Sequence, residues 1–136
     1  MPQKQLTIIS ATTVGGRDGH GETSDGRIKI DFTGKGAAKN SPEHLFALGY
    51  SACFGSALGA VAAKEKKQLP PDFSVKVTVP LILGDDGGYS IAADLEVKIP
   101  GWSKADAEAI TEKAHQICPY SKATRNNIPV KLRVAA

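Results

Sequence analysis

Apolar and polar positions alternate in short runs near both ends of the chain, and one long apolar stretch lies between them. Residues 4–13 (KQLTIISATT) are rich in Ile and Thr and predict a β-strand. Residues 27–32 (RIKIDF) alternate polar and apolar, as a short strand with one wet face does. Between them, Gly15, Gly16, Gly19, Gly21 and Gly26, with Asp18 and Asp25, predict a loop or hairpin connection. A second Gly/Lys-rich loop is expected over 33–40. Ser41-Pro42 then opens a helix: Ser is a good N-cap, and Pro at the first helical position loses nothing by lacking an N–H. Glu43 falls in the first turn, where the dipole favours negative charge. The helix is expected to run to about Lys67, some 26 residues and roughly 40 Å, before Pro70-Pro71 stops it.

Two strands follow, 74–83 and 89–99, joined by a Gly-containing hairpin loop over 84–88. Ser103 is a good N-cap for a second helix over 104–117. Cys118 ends that helix, and Pro119 prevents its continuation. Residues 121–127 read as a polar turn and 130–134 as a final edge strand. The order β-β-α-β-β-α-β predicts an α+β fold with mainly antiparallel pairing, in one domain spanning residues 1–136.

The long helix needs a membrane check. Residues 45–63 carry no charge, a length that meets the minimum for a spanning helix, and include Gly55-x-x-x-Gly59. The run is mostly Ala, Gly and Ser, so insertion would be weakly driven. A helix apolar on nearly all sides, buried in a soluble core, is the expectation.

Composition narrows the functional classes. The chain has 136 residues, 41% hydrophobic and 23% charged, which is ordinary for a globular domain long enough to bury a core. A net charge of +3 with scattered basic residues, and only 6% aromatics, gives no nucleic-acid footprint. The N-terminus does not read as a signal peptide, so a cytoplasmic location with reduced thiols is expected.

Two cysteines remain to be explained. Cys53 lies mid-helix among Ala and Phe, a setting typical of core packing that also raises a thiol pKa. To be reactive it needs a cation from elsewhere in the chain. Cys118, at a helix C-terminus, faces the negative end of the dipole and suits the role of a resolving thiol better than that of an attacker. His115-x-x-Cys118 has ligand-like spacing, yet only Cys53, His20 and His44 could join it, so no metal is expected. Ser-His-Asp hydrolysis lacks a nucleophile elbow. An apolar-ligand-binding module is the non-enzymatic alternative.

Four segments resemble the organic hydroperoxide resistance (Ohr) branch of the OsmC/Ohr family. SPEHLFALGYSACF (41–54) is similar to its first cysteine motif and CPYSKATR (118–125) to its second. ATTVGGRDG (11–19) resembles its arginine loop, and NIPVKL (127–132) its closing strand. The full CPYSxATR run favours Ohr over the OsmC branch, which is the alternative, with a broader peroxide range. Departures are small: Ser41 stands where Asn is common, His44 where Gln is, Asn126-Asn127 for Gly-Asn, and Pro129 for an acidic residue.

The resemblance implies antiparallel sheets around a long central helix in an intertwined homodimer. It implies reduction of alkyl and lipid hydroperoxides by Cys53 as peroxidatic thiolate, with Cys118 resolving the sulfenic acid into a disulfide. Arg17 would stabilise the thiolate, and Glu43 would orient Arg17. No bound cofactor is implied; dihydrolipoamide or lipoylated proteins would serve as reductant. Glu43 and Cys53 lie roughly 15 Å apart along one helix, which one arginine does not easily bridge. The site is therefore expected to be shared across the dimer. Leu45, Leu48, Phe54 and Tyr120 neighbour the motifs and are the candidate substrate pocket.

Overall fold

The structure is a computed structural model, described for residues 3–33 and 39–135. The chain divides into two compact units, Met1–Pro42 and Glu43–Ala136.

In the first unit, β1 (Ala11–Val14), β2 (His20–Thr23) and β3 (Lys29–Asp31) form an antiparallel meander. A 3-10 turn, Gly16–Asp18, joins β1 to β2. The turn closes so tightly that a Cβ at Gly19 would sit 1.7 Å from the Val14 carbonyl oxygen, so only glycine fits there. The strand expected over 4–13 is ordered as a strand only at its end. Residues 3–10 join no strand ladder, and Leu6, Ile8 and Ile9 are exposed. A strand needs a partner for its N–H and C=O groups, and β-propensity alone does not supply one. The loop expected over 33–40 falls mostly outside the described residues.

In the second unit, α1 (Pro42–Lys64) stops three residues before the expected end. Lys66 adopts a left-handed φ of 56°, the Lys67 N–H reaches the Ala62 carbonyl at 2.8 Å, and the Lys66 N–H reaches that of Ala63 at 3.1 Å. That is a Schellman cap, formed before the prolines arrive. α1 has the length and hydropathy of a membrane-crossing helix. It is not buried on nearly all sides, however. Tyr50, Phe54, Ala57, Leu58, Val61 and Ala62 make one buried stripe at helical spacing, while Leu48 on another face is 67% exposed.

Each expected long strand is broken in two. Pro80, which cannot donate to a ladder, separates β4 (Ser74–Thr78) from β5 (Leu81–Leu83). The return separates likewise into β6 (Tyr89–Ile91) and β7 (Ala93–Lys98), so that β5 pairs with β6 as a hairpin and β4 with β7. β7 is central, with Ala93, Leu95 and Val97 buried. α2 (Lys104–Ile117), the short helix α3 (Pro119–Thr124) and β8 (Val130–Val134) follow. β8 pairs with β7 in parallel, Leu95 opposite Leu132. The other pairings are antiparallel, in line with the mainly antiparallel expectation, and α2 and α3 form the crossover that this parallel pair requires. The α+β class itself is as expected.

α2 begins as its sequence predicts, with the Asp106 N–H donating to Ser103 Oγ at 3.2 Å. It buries Ala107, Ile110, Thr111 and Ala114 at i, i+3, i+4 and i+7. Ala107, Ile110 and Ala114 share one core with the α1 stripe and β7.

Candidate active site

The residue before a proline is pushed out of the helical region. Cys118 obeys, with φ −62° and ψ 123°, so it ends α2 and caps α3 at a single bend. Pro119 then starts α3 at the position where a missing N–H costs nothing. The polar turn expected over 121–127 is therefore largely helix, and Cys118 lies between two helices, not simply at the negative end of one.

This bend directs the fully buried Cys118 at α1. Its Sγ lies 3.6 Å from Sγ of Cys53, with both thiols free. Burial pushes the Cys53 pKa above that of an ordinary thiol, as its mid-helix position predicts. The backbone N–H of Tyr120 opposes this by donating toward the sulfur. Tyr120 is in the first turn of α3, where N–H groups have no partner within the helix. The nearby Cys118 thiol raises the Cys53 pKa further, by hydrogen bonding and charge coupling.

Tyr120 also closes one side of the pair. Its ring packs with Phe46 (6.0 Å between centroids) and Tyr50 (5.6 Å). It lies directly over Gly49, where a Cβ would be 2.7 Å from the Tyr120 hydroxyl. Leu45 and Tyr120 are each 37% exposed and Leu48 67%. Phe54 is fully buried in the core, 6.4 Å from the His115 ring. Helical geometry explains the rest. Leu48 points about 140° around α1 from Cys53, whereas Phe46, Gly49 and Tyr50 precede Cys53 by seven, four and three residues and share its face. Phe46 and Tyr50 were missed at the sequence level, although that spacing is a readable signal for them.

Arg17 sits exposed in the 3-10 turn of the first unit, and Glu43 is half-buried in the first turn of α1. Each has polar interactions of its own. In the same first unit, His20 bridges two carboxylates, Nδ1 to Asp31 at 2.6 Å and Nε2 to Glu22 at 3.0 Å, which raise its pKa. Among the described residues no group of three or more His, Cys, Asp or Glu is placed to hold a metal ion.

Similarity to known proteins agrees with this geometry. Residues 32–133 match the OsmC-like protein family. The chain is 41% identical over 141 residues to the organic hydroperoxide resistance protein of Xanthomonas axonopodis pv. citri (strain 306), with 98% of each chain covered. It superposes with a TM-score of 0.89 on the crystal structure of an organic hydroperoxide resistance protein from Legionella pneumophila. That protein is 41% identical, and the match covers 98% of this chain and 100% of the other. The OhrB structure of Bacillus subtilis gives the same TM-score at 37% identity, covering 96% and 100%. A chain alike over nearly its whole length in both sequence and fold, with its two cysteines brought into contact, belongs to the OsmC-like family, in its organic hydroperoxide resistance branch.

Proposed function

We propose that the chain is a peroxide-detoxifying enzyme, a thiol peroxidase that reduces organic hydroperoxides to alcohols. The observation that carries this reading is the 3.6 Å contact between Cys53 and Cys118. The names of the relatives give its substrate class.

In the first step the Cys53 thiolate attacks the terminal peroxide oxygen. The O–O bond breaks, the alkoxide leaves and takes a proton, and Cys53 becomes a sulfenic acid. In the second step Cys118 sulfur attacks that sulfenic sulfur and water leaves, giving a Cys53–Cys118 disulfide. A dithiol of the dihydrolipoyl class, free or on a lipoylated protein, then returns two electrons and two protons by disulfide exchange.

Burial opposes the thiolate that the first step requires, and the Tyr120 N–H offsets only part of that cost. Arg17 is the cation assigned to the remainder, with Glu43 holding its guanidinium through a bidentate pair. The setting proposed is a homodimer in a reducing cytoplasm, with the site completed across subunits. The exposed Leu6, Ile8, Ile9 and Leu48 support it, because a second chain would cover apolar surface that one chain leaves open. The substrate's apolar tail is assigned to the Leu45, Phe46 and Tyr120 side of Cys53.

The deciding experiment is a peroxidase assay with tert-butyl and cumene hydroperoxides, coupled to dihydrolipoamide and, in parallel, to thioredoxin. Turnover with dihydrolipoamide supports the scheme. No consumption of either hydroperoxide removes it.

A further inference from the structure

α1, α2 and α3 are joined by a knot of buried hydroxyls and one part-buried imidazole. Ser121, on α3, is fully buried. Its Oγ is 2.9 Å from the hydroxyl of Tyr50 on α1 and 2.8 Å from Nδ1 of His115 on α2. The Tyr50 hydroxyl also lies 3.3 Å from Thr124 Oγ1, which donates to the Ser121 carbonyl at 3.2 Å. Arg125 Nη2 donates to the His115 carbonyl at 2.6 Å. One α3 hydroxyl is thus tied to both other helices.

The same three helices build the thiol pair. α1 brings Cys53, the α2–α3 bend brings Cys118, and α3 brings the Tyr120 N–H. We propose that Tyr50, Ser121 and His115 are positioning residues that hold α3 in register, and through it set both the Sγ–Sγ distance and the Tyr120 N–H bond to Cys53. The proposal rests on the peroxidase reading for its role in turnover.

Stability alone does not account for these residues. Burying polar groups is costly unless each finds a partner, and apolar side chains of the same shape would fill the space at little or no loss. What hydrogen bonds add is direction. With the Tyr50 O–H donating to Ser121 and the Ser121 O–H donating to His115 Nδ1, both hydroxyl protons have acceptors and the imidazole carries its own on Nε2. Burial, then the charge of Arg125, holds the His115 pKa below the ordinary value, which keeps Nδ1 free to accept.

The test uses Ser121→Ala, Tyr50→Phe, His115→Leu and His115→Asn, the last keeping a polar acceptor near the Nδ1 position. Two quantities are read. One is the thiolate midpoint of Cys53, from ultraviolet absorbance against pH. The other is the rate of Cys53–Cys118 closure after one equivalent of hydroperoxide, with sulfinic acid followed by mass spectrometry in a parallel run given excess hydroperoxide, the second oxidant that it requires. The first three variants are expected to raise the midpoint, slow closure about tenfold or more, as misplacement of reacting groups on the ångström scale does, and accumulate sulfinic acid. His115→Asn is expected to recover most of the closure rate. Tyr50→Phe deletes one oxygen and keeps the ring, so the test does not depend on a more disruptive variant folding. Closure driven by diamide in place of hydroperoxide reports the same geometry, so it separates failure of this proposal from failure of the peroxidase reading. Folded Tyr50→Phe and Ser121→Ala proteins with wild-type midpoint and closure rate under both oxidants would overturn it.

Discussion

Cys53 and Cys118 are 65 residues apart in sequence and 3.6 Å apart at their sulfurs. A disulfide measures about 2.05 Å, so the pair stands one short displacement from a covalent bond. Cys53→Ser is expected to abolish hydroperoxide consumption. Cys118→Ser is expected to keep one rapid turnover per chain and then stall, visible as a burst of one equivalent of alcohol. Sustained turnover by Cys53→Ser would contradict the assignment.

Arg17 is assigned to offset the burial cost on Cys53. Arg17→Ala should therefore move the thiolate titration of Cys53, and the rate profile of the first step, toward alkaline pH. An unchanged titration would remove Arg17 from the scheme.

Gly49 poses opposing effects of similar size. Alanine there gains roughly 1 kcal/mol of helix propensity, but its Cβ would be 2.7 Å from the Tyr120 hydroxyl and 3.2 Å from the ring carbon that bears it. The ring must move, and Tyr120 is on α3 beside Cys118. Gly49→Ala is expected to leave the melting temperature within a few degrees of wild type while slowing disulfide closure several-fold. A stabilised variant with unaltered closure would show that the contact is idle.

His20 and His115 shift in opposite directions. Carboxylates raise His20, and burial lowers His115. A raised folded value contributes stability that is present below 6.5, the ordinary histidine value, and is lost as pH rises through the folded pKa. A lowered folded value does the reverse: the unfolded chain takes the proton first, so stability falls as pH drops from 6.5 toward the folded pKa. Proton NMR titration should find His20 above 6.5 and His115 below it, and His115→Asn should flatten the acid side of the stability curve.

Lys66 sits in the left-handed region at the end of α1. That conformation costs a side-chain-bearing residue about 1–2 kcal/mol, against about 0.5–1 kcal/mol of extra chain entropy that glycine loses on folding. Lys66→Gly should raise stability by roughly 0.5–1 kcal/mol in urea unfolding.

How much of this was legible in the sequence depends on range. α2 was readable to the residue, because Ser103 caps it and Pro119 ends it by local rules. The break at Pro80 was also legible by a local rule, although the expected strand over 74–83 ran through it; the break before β7 and the parallel β7–β8 pair were not, since strand partners are chosen by contacts distant in sequence. At the site, the cysteine motifs were plain from resemblance alone. The contact between the two sulfurs was not, because it depends on the bend at Cys118 and on α3, which reads as a polar turn. Phe46 and Tyr50 were within reach of helical spacing from Cys53, but proximity along the chain favoured Leu48 and Phe54 instead.

The long separation of the two cysteines has a thermodynamic corollary. Joining them converts an open chain into one with a ring of about 65 residues, which removes unfolded-state entropy worth about 4 kcal/mol in the chain-entropy treatment. The proposed cycle would then alternate between two topologies of unequal toughness, the oxidised one harder to unfold. A molecule that has just met its peroxide would be at its most resistant to heat and proteolysis, and reduction would return it to the more fragile, chemically ready state.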